Sequence, residues 1–138
     1  MPLSPLPPDL TEFLRRPHPA VVASVKPSGE LHTTATWYEI VDDRTMLVNM
    51  DASRARLTFL RLDPRVALTV IDADNWYTHV SISGNVREIR PDPDMTDIDR
   101  LALRYTGSPY GDRDRDSWSA IVDVTRWHGW KGNEPVGA

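Results

Sequence analysis

The residues with the clearest chemical potential are Ser53, Arg54 and Arg56, which follow Asn49-Met50-Asp51 and open a basic segment that runs to Leu62. Placed at a helix start, they stand where backbone N–H groups lack intrahelical acceptors and the helix dipole favours an anion. Two guanidiniums beside those N–H groups can grip phosphate oxygens in a fixed fork. A solvated surface helix start explains the same spacing equally well, because arginine supplies 14 of the 16 basic residues. Aromatic residues are the second candidate set. Most tryptophans are core or interface residues. Trp37, however, stands among Thr33, Thr34 and Thr36, and Trp76 stands beside Tyr77. Surfaces that mix aromatic faces and hydroxyls suit a planar ring with polar edges.

Other chemistries lack their residues. There is no cysteine, so disulfides, thiolate catalysis and cysteine-ligated metals are excluded. His18, His32, His79 and His128 are far apart and form no metal-ligand spacing. Neither a Gly-x-Ser-x-Gly elbow nor a glycine-rich phosphate loop occurs. Acidic residues over 92–99 read as the start of a solvated helix, and Asp112-Arg-Asp-Arg-Asp116 as a self-paired exposed loop.

At 138 residues the chain is expected to be one domain over 1–138, with a real core. Its 26% charged and 40% apolar residues are ordinary for a globular protein. The net charge of −4 argues against a general nucleic-acid binder. No apolar run reaches the roughly 20 residues of a membrane span. Residues 1–8 carry Pro2, Pro5, Pro7 and Pro8 without the basic and apolar regions of a secretory signal. They read as an extended arm, and the cytoplasm is the expected compartment.

The elements that must position the basic turn follow from periodicity and punctuation. Residues 9–16 form a short helix stopped by Pro17 and Pro19. Residues 20–25 and 31–40 read as strands joined by the turn 26–30, where Gly29 takes a positive φ. Residues 45–50 form the third strand and 53–62 the basic helix, which Asp63-Pro64 ends. Strands follow at 65–71 and 76–89, the latter bent near Gly84. A weakly amphipathic helix over 91–105, a loop over 107–116, a last strand over 117–127 and a loose tail over 129–138 complete the chain. About six strands and three short helices, with hairpin turns between early strands, point to a mostly β, antiparallel barrel.

Three segments resemble a known family when taken in order. They are Ala20-Val-Val-Ala-Ser-Val-Lys26 with its turn; Leu47-Val-Asn49 through Ser53-Arg-Ala-Arg56 to Ala67-Leu68; and Trp76-Tyr-Thr-His-Val-Ser-Ile-Ser-Gly-Asn-Val-Arg87. They resemble the pyridoxamine 5′-phosphate oxidase-like proteins, which have a six-stranded antiparallel split β-barrel of the FMN-binding type. Within that group the chain is most similar to oxidoreductases that use the deazaflavin coenzyme F-420. Those often carry Lys where Arg56 stands here.

The resemblance implies a homodimer with a cofactor in a groove between protomers. Asn49, Met50, Ser53, Arg54 and Arg56 would then meet the phosphate and ring edge. Thr34 and Thr36 would lie beneath the ring. Trp76 and Tyr77 would touch a cofactor bound mainly by the other chain. Lys26, Arg15 and Arg16 are candidates for the acidic coenzyme tail. The implied reaction is hydride transfer from reduced deazaflavin to an electron-poor small organic substrate. Tyr105, Tyr110 and His128 are candidate proton donors. The alternatives are an FMN (flavin mononucleotide) enzyme on the same barrel and a non-catalytic flavin or deazaflavin carrier. A haem protein ligated by His79 or His128 would leave the arginine pair unexplained.

Overall fold

The computed structural model describes residues 5–132 and 134–136. Helix α1 (Pro8–Arg15) leads into strands β1 (Ala20–Val25), β2 (Leu31–Thr36), β3 (Glu39–Asp42) and β4 (Thr45–Asp51). Helix α2 (Ala55–Leu62) precedes β5 (Arg65–Ile71) and β6 (His79–Pro91). Helix α3 (Thr96–Thr106) precedes β7 (Ser117–Lys131) and β8 (Glu134–Val136). The strands form one antiparallel sheet in the order β2-β1-β5-β6-β7-β4-β3, with β8 on β7. Its two end strands, β2 and β3, are consecutive in the chain and separated only by Trp37 and Tyr38. The sheet is therefore rolled until its edges meet without pairing, which is a mostly β split barrel.

Alternation builds the core. Val22, Leu68, Val70, Val80 and Ile82 point inward from β1, β5 and β6, while their neighbours face outward. Strand β4 is buried on both faces. Met46, Val48 and Met50 enter the barrel core with Leu10 and Leu14 of α1. Leu47 packs instead with Ile98 and Leu101 of α3. Each such side chain contributes about 1.5–3 kcal/mol by leaving water. Gly84 sits at a register shift between β6 and β7, as its expected bend requires. A Cβ there would lie 2.4 Å from the Asp123 carbonyl oxygen.

Eight strands replace the expected six, for local reasons. The segment expected as one strand over 31–40 breaks at Trp37 and Tyr38. Tyr38 turns fully inward, and its hydroxyl donates to the Arg16 carbonyl at 3.0 Å. Trp76 and Tyr77 lie in a turn, so β6 begins only at His79. The Asn75 side chain and carbonyl accept from the N–H groups of Tyr77 and Thr78 and hold that turn. The helix expected over 91–105 starts at Thr96, because Pro91 still belongs to β6 and the Asp92 carboxylate accepts from the N–H groups of Asp97 and Ile98. The expected loose tail is strand in its described part: β7 continues to Lys131 and pairs with β8. Gly129 lets Leu10 of α1 press against β7. Of the expected arm, residues 1–4 lie outside the described residues. Leu6 is buried, and the Pro5 carbonyl accepts from Trp127 Nε1 at 3.1 Å. No helix among the described residues is long and apolar enough to cross a membrane.

Candidate functional site

The turn before α2 is made by Asp51. Its carboxylate accepts from the Ser53 hydroxyl and from the Ser53 N–H at 2.9 Å, which frees the chain to enter the helix at Ala55. Arg54 is the N-cap in extended geometry, and no side chain caps the helix. The first N–H groups of α2 are thus left for a ligand or water. Arg56 folds back and donates from Nη2 to the Asn49 carbonyl at 3.1 Å.

From the loop before β7, Arg115 donates from Nη2 to the Asn49 side-chain oxygen at 3.1 Å and from Nη1 to the Tyr110 hydroxyl oxygen at 3.1 Å. Its guanidinium carbon lies 4.7 Å from the Tyr110 ring centroid. The Asn49 amide nitrogen donates to Ser117 and Ser119, each at 3.0 Å. Ser117 in turn donates to Asp92 at 2.9 Å. Asn49 is therefore a saturated hub between two arginines, braced on the residue that caps α3.

Three observations describe the electrostatics. The Nε atoms of Arg56 and Arg115 are buried with no hydrogen-bond partner among the described residues. Burial first, then the nearby Arg54 and Arg115, hold the Arg56 guanidinium below its ordinary value; it stays charged at neutral pH. Seven ion pairs form among the described residues, and none includes Arg54, Arg56 or Arg115. An anion with several acceptor oxygens fits such a set.

The arginines form one end of a cleft of about 820 Å³. His32, Thr34 and Thr36 line a wall from one face of β2. Trp37, Tyr105 and Tyr110 form an aromatic wall, with Trp37 and Tyr105 stacked at 5.2 Å and 9°. A planar group carrying a phosphate fits these linings: arginines and an open helix start at one end, hydroxyls and aromatic faces along the rest.

The structure gathers Thr34, Thr36, Asn49, Ser53, Arg54 and Arg56 around this cleft. Others fall elsewhere. Met50 points to the opposite side of β4 from Asn49 and is wholly buried in the barrel core, so its side chain meets no ligand. Lys26 lies in the β1–β2 turn and does not line the cleft. Trp76 and Tyr77 stack on each other at 4.8 Å on an exposed turn, 70% and 54% accessible, outside this chain's cleft. Arg15 and Arg16 are exposed beyond it at the end of α1. Of the candidate proton donors, Tyr105 is engaged with the His18 carbonyl at 2.7 Å. Tyr110 lines the cleft, whereas His128 packs edge-on against Trp130 outside it.

Arg115 was not legible as a site residue. The run Asp112-Arg-Asp-Arg-Asp116 is not self-paired: Arg113 pairs with Asp99 at 2.8 Å, and Arg115 turns into the cleft. No local signal marks it, because its place depends on the pairing of β4 with β7, which brings Asp51 opposite Ser117.

Known proteins share this fold. The sequence model described as pyridoxamine 5′-phosphate oxidase matches residues 6–131. An F-420 reductase superposes with a TM-score of 0.80 at 28% identity, covering 88% of this chain and 98% of its own. A conserved hypothetical protein from Mycobacterium tuberculosis superposes with a TM-score of 0.71 at 23% identity, covering 99% and 94%. HupZ from Group A Streptococcus shares the fold at 17% identity, with a TM-score of 0.64 and 94% of each chain covered. No curated protein matches the sequence.

Proposed function

The chain belongs to the pyridoxamine 5′-phosphate oxidase family, and on that footing we propose that it is an oxidoreductase that uses coenzyme F-420 to reduce an electron-poor small organic substrate. The observation that carries this reading is the pair Arg54 and Arg56, both without an acidic partner among the described residues, at the uncapped start of α2. They bind the coenzyme phosphate. The likeness to an F-420 reductase over nearly its whole length favours the deazaflavin over FMN.

When bound, reduced F-420 supplies a hydride for the electron-poor double bond of the substrate. The chain's own residues bind and orient. Thr34 and Thr36 line the wall beside the ring, and the Thr36 hydroxyl is held by the Trp37 carbonyl at 2.8 Å. Trp37 and Tyr105 present a flat apolar surface that excludes water from the reacting faces. Tyr110 keeps its own hydroxyl proton available at the cleft, since its oxygen accepts from Arg115. The protein acts as a homodimer in the cytoplasm, with the exposed Trp76–Tyr77 pair of one protomer reaching the coenzyme of the other.

Titration of the apo-protein with F-420 and FMN, followed by oxidation assays of the reduced coenzyme over enones and quinones, tests this. Tight F-420 binding with turnover is expected. FMN binding without F-420 binding overturns the coenzyme assignment, and F-420 binding without any turnover identifies a carrier.

A further inference from the structure

Giving two arginines to a phosphate leaves a third. Arg115 comes from the loop before β7, beside Arg56 at the same end of the cleft, and has no acidic ion-pair partner among the described residues. The nearby carboxylates are spent on the turn itself. Asp51 accepts from Ser53 and from the Asp116 N–H at 2.9 Å, and Asp116 accepts from Trp118 Nε1 at 3.1 Å.

Arg115 is nonetheless held firmly by the Asn49 side chain and the Tyr110 hydroxyl. The same Asn49 holds Arg56 through its backbone carbonyl. One buried residue therefore spaces two guanidiniums, each with a buried Nε lacking a partner. Three cations crowd here against one nearby carboxylate, Asp51, whose pKa is lowered by its hydrogen bonds from Ser53 and, more weakly, by Arg115; a bound polyanion offsets the remaining positive charge.

We propose that Arg115 is a third arm of the anion socket, that Asn49 is the positioning residue that sets its distance from Arg56, and that the ligand carries at least two negative charges at this end. The inference rests on the coenzyme reading only in taking the anion to be part of a flavin-type molecule. A phosphate monoester supplies both charges itself; a phosphodiester with a neighbouring carboxylate supplies one from each group.

Calorimetric titration of the full chain, Arg115→Ala and Arg115→Lys tests it, with inorganic phosphate, FMN, riboflavin, F-420 and the phosphate-free deazaflavin ring as probes. Arg115→Ala is expected to weaken inorganic phosphate and every phosphate-bearing ring that binds by about 10- to 100-fold, the loss of one or more charge-assisted hydrogen bonds. Phosphate-free rings keep their affinity, and Arg115→Lys recovers part of the loss through its charge alone. Where inorganic phosphate is weakened and only one of the two ring compounds is weakened with it, FMN points to the monoester as the source of both charges and F-420 to the diester and tail. Equal losses for phosphate-bearing and phosphate-free rings, or unchanged phosphate affinity, overturn the proposal. If inorganic phosphate binds with this Arg115 dependence while no ring compound binds, the three-armed socket stands and the coenzyme reading falls. If wild-type protein binds neither phosphate nor any phosphate-bearing ring, both fall.

Discussion

The imidazole of His18 lies nearly parallel to the Phe13 ring, with 4.2 Å between centroids. The ring is buried, and its Nδ1 accepts from the Ala73 N–H at 3.3 Å, so the neutral form is required. Burial lowers its pKa; Arg16 and Arg104 act in the same direction, and Asp72 opposes them.

In the unfolded chain His18 takes up its proton near the ordinary value of about 6.5. The folded form resists until lower pH. Below about 6.5 the unfolded state therefore binds more protons, and stability present above that pH is lost as pH falls through the folded value. The melting temperature is expected to drop between pH 7.5 and pH 5.5. A His18→Leu variant should show a shallower drop; the same pH slope in both proteins would contradict a role for this ring.

Arg56→Ala is expected to weaken binding of the phosphate-bearing coenzyme by about 1.5–3 kcal/mol, the range for hydrogen bonds to charged groups. Fluorescence titration measures it. Wild-type affinity in the variant would mean that Arg56 serves only the Asn49 carbonyl.

Gly84→Ala would place its methyl group 2.4 Å from the Asp123 carbonyl oxygen and 2.8 Å from Val122 Cγ1. Backbone must then move at the bulge, so a loss of about 1–3 kcal/mol is expected in urea denaturation. An unchanged midpoint would show that the bulge relaxes freely.

Arg104 of α3 donates to the carbonyls of Leu14 and Arg16 at 2.7 and 2.8 Å and to that of Tyr38. Its guanidinium also lies 4.7 Å from the Tyr38 ring centroid. Arg104→Ala strands several carbonyls at once and should cost at least about 2 kcal/mol. Lysine lacks the fork that reaches them together, so Arg104→Lys should recover less than half of that loss. Full recovery in chemical denaturation would reduce the residue to a simple charge.

Sedimentation of the purified protein should give a dimer. Trp76→Ala should lower coenzyme affinity while leaving the far-UV spectrum unchanged. A monomer that binds coenzyme at full strength would separate the exposed aromatic pair from the site.

Local chemistry was legible and distant pairing was not. Ser53, Arg54 and Arg56 could be placed in sequence because a turn and a helix start are decided within a few residues, and Gly84 marked its bulge for the same reason. The aromatic content of Trp76 and Tyr77 read as strand, but Asn75 captures the following N–H groups and makes a turn. Thr34 and Thr36 share a face by the period of two, and only the rolled sheet decides that this face lines the cleft. Arg115 was hidden because its meaning depends on β4 lying beside β7, some 66 residues apart at the Asp51–Ser117 pair.

That long-range pairing has a consequence for biosynthesis. As the chain leaves the ribosome, the β3–β4 hairpin and α2 emerge well before β7, which is the neighbour β4 needs in the sheet. Arg54 and Arg56 are then already present, but Asn49 has neither Ser117 nor Ser119 to brace it, and Arg115 has not arrived. The cluster of three arginines around Asn49 is therefore complete only after the final strands have been translated and paired.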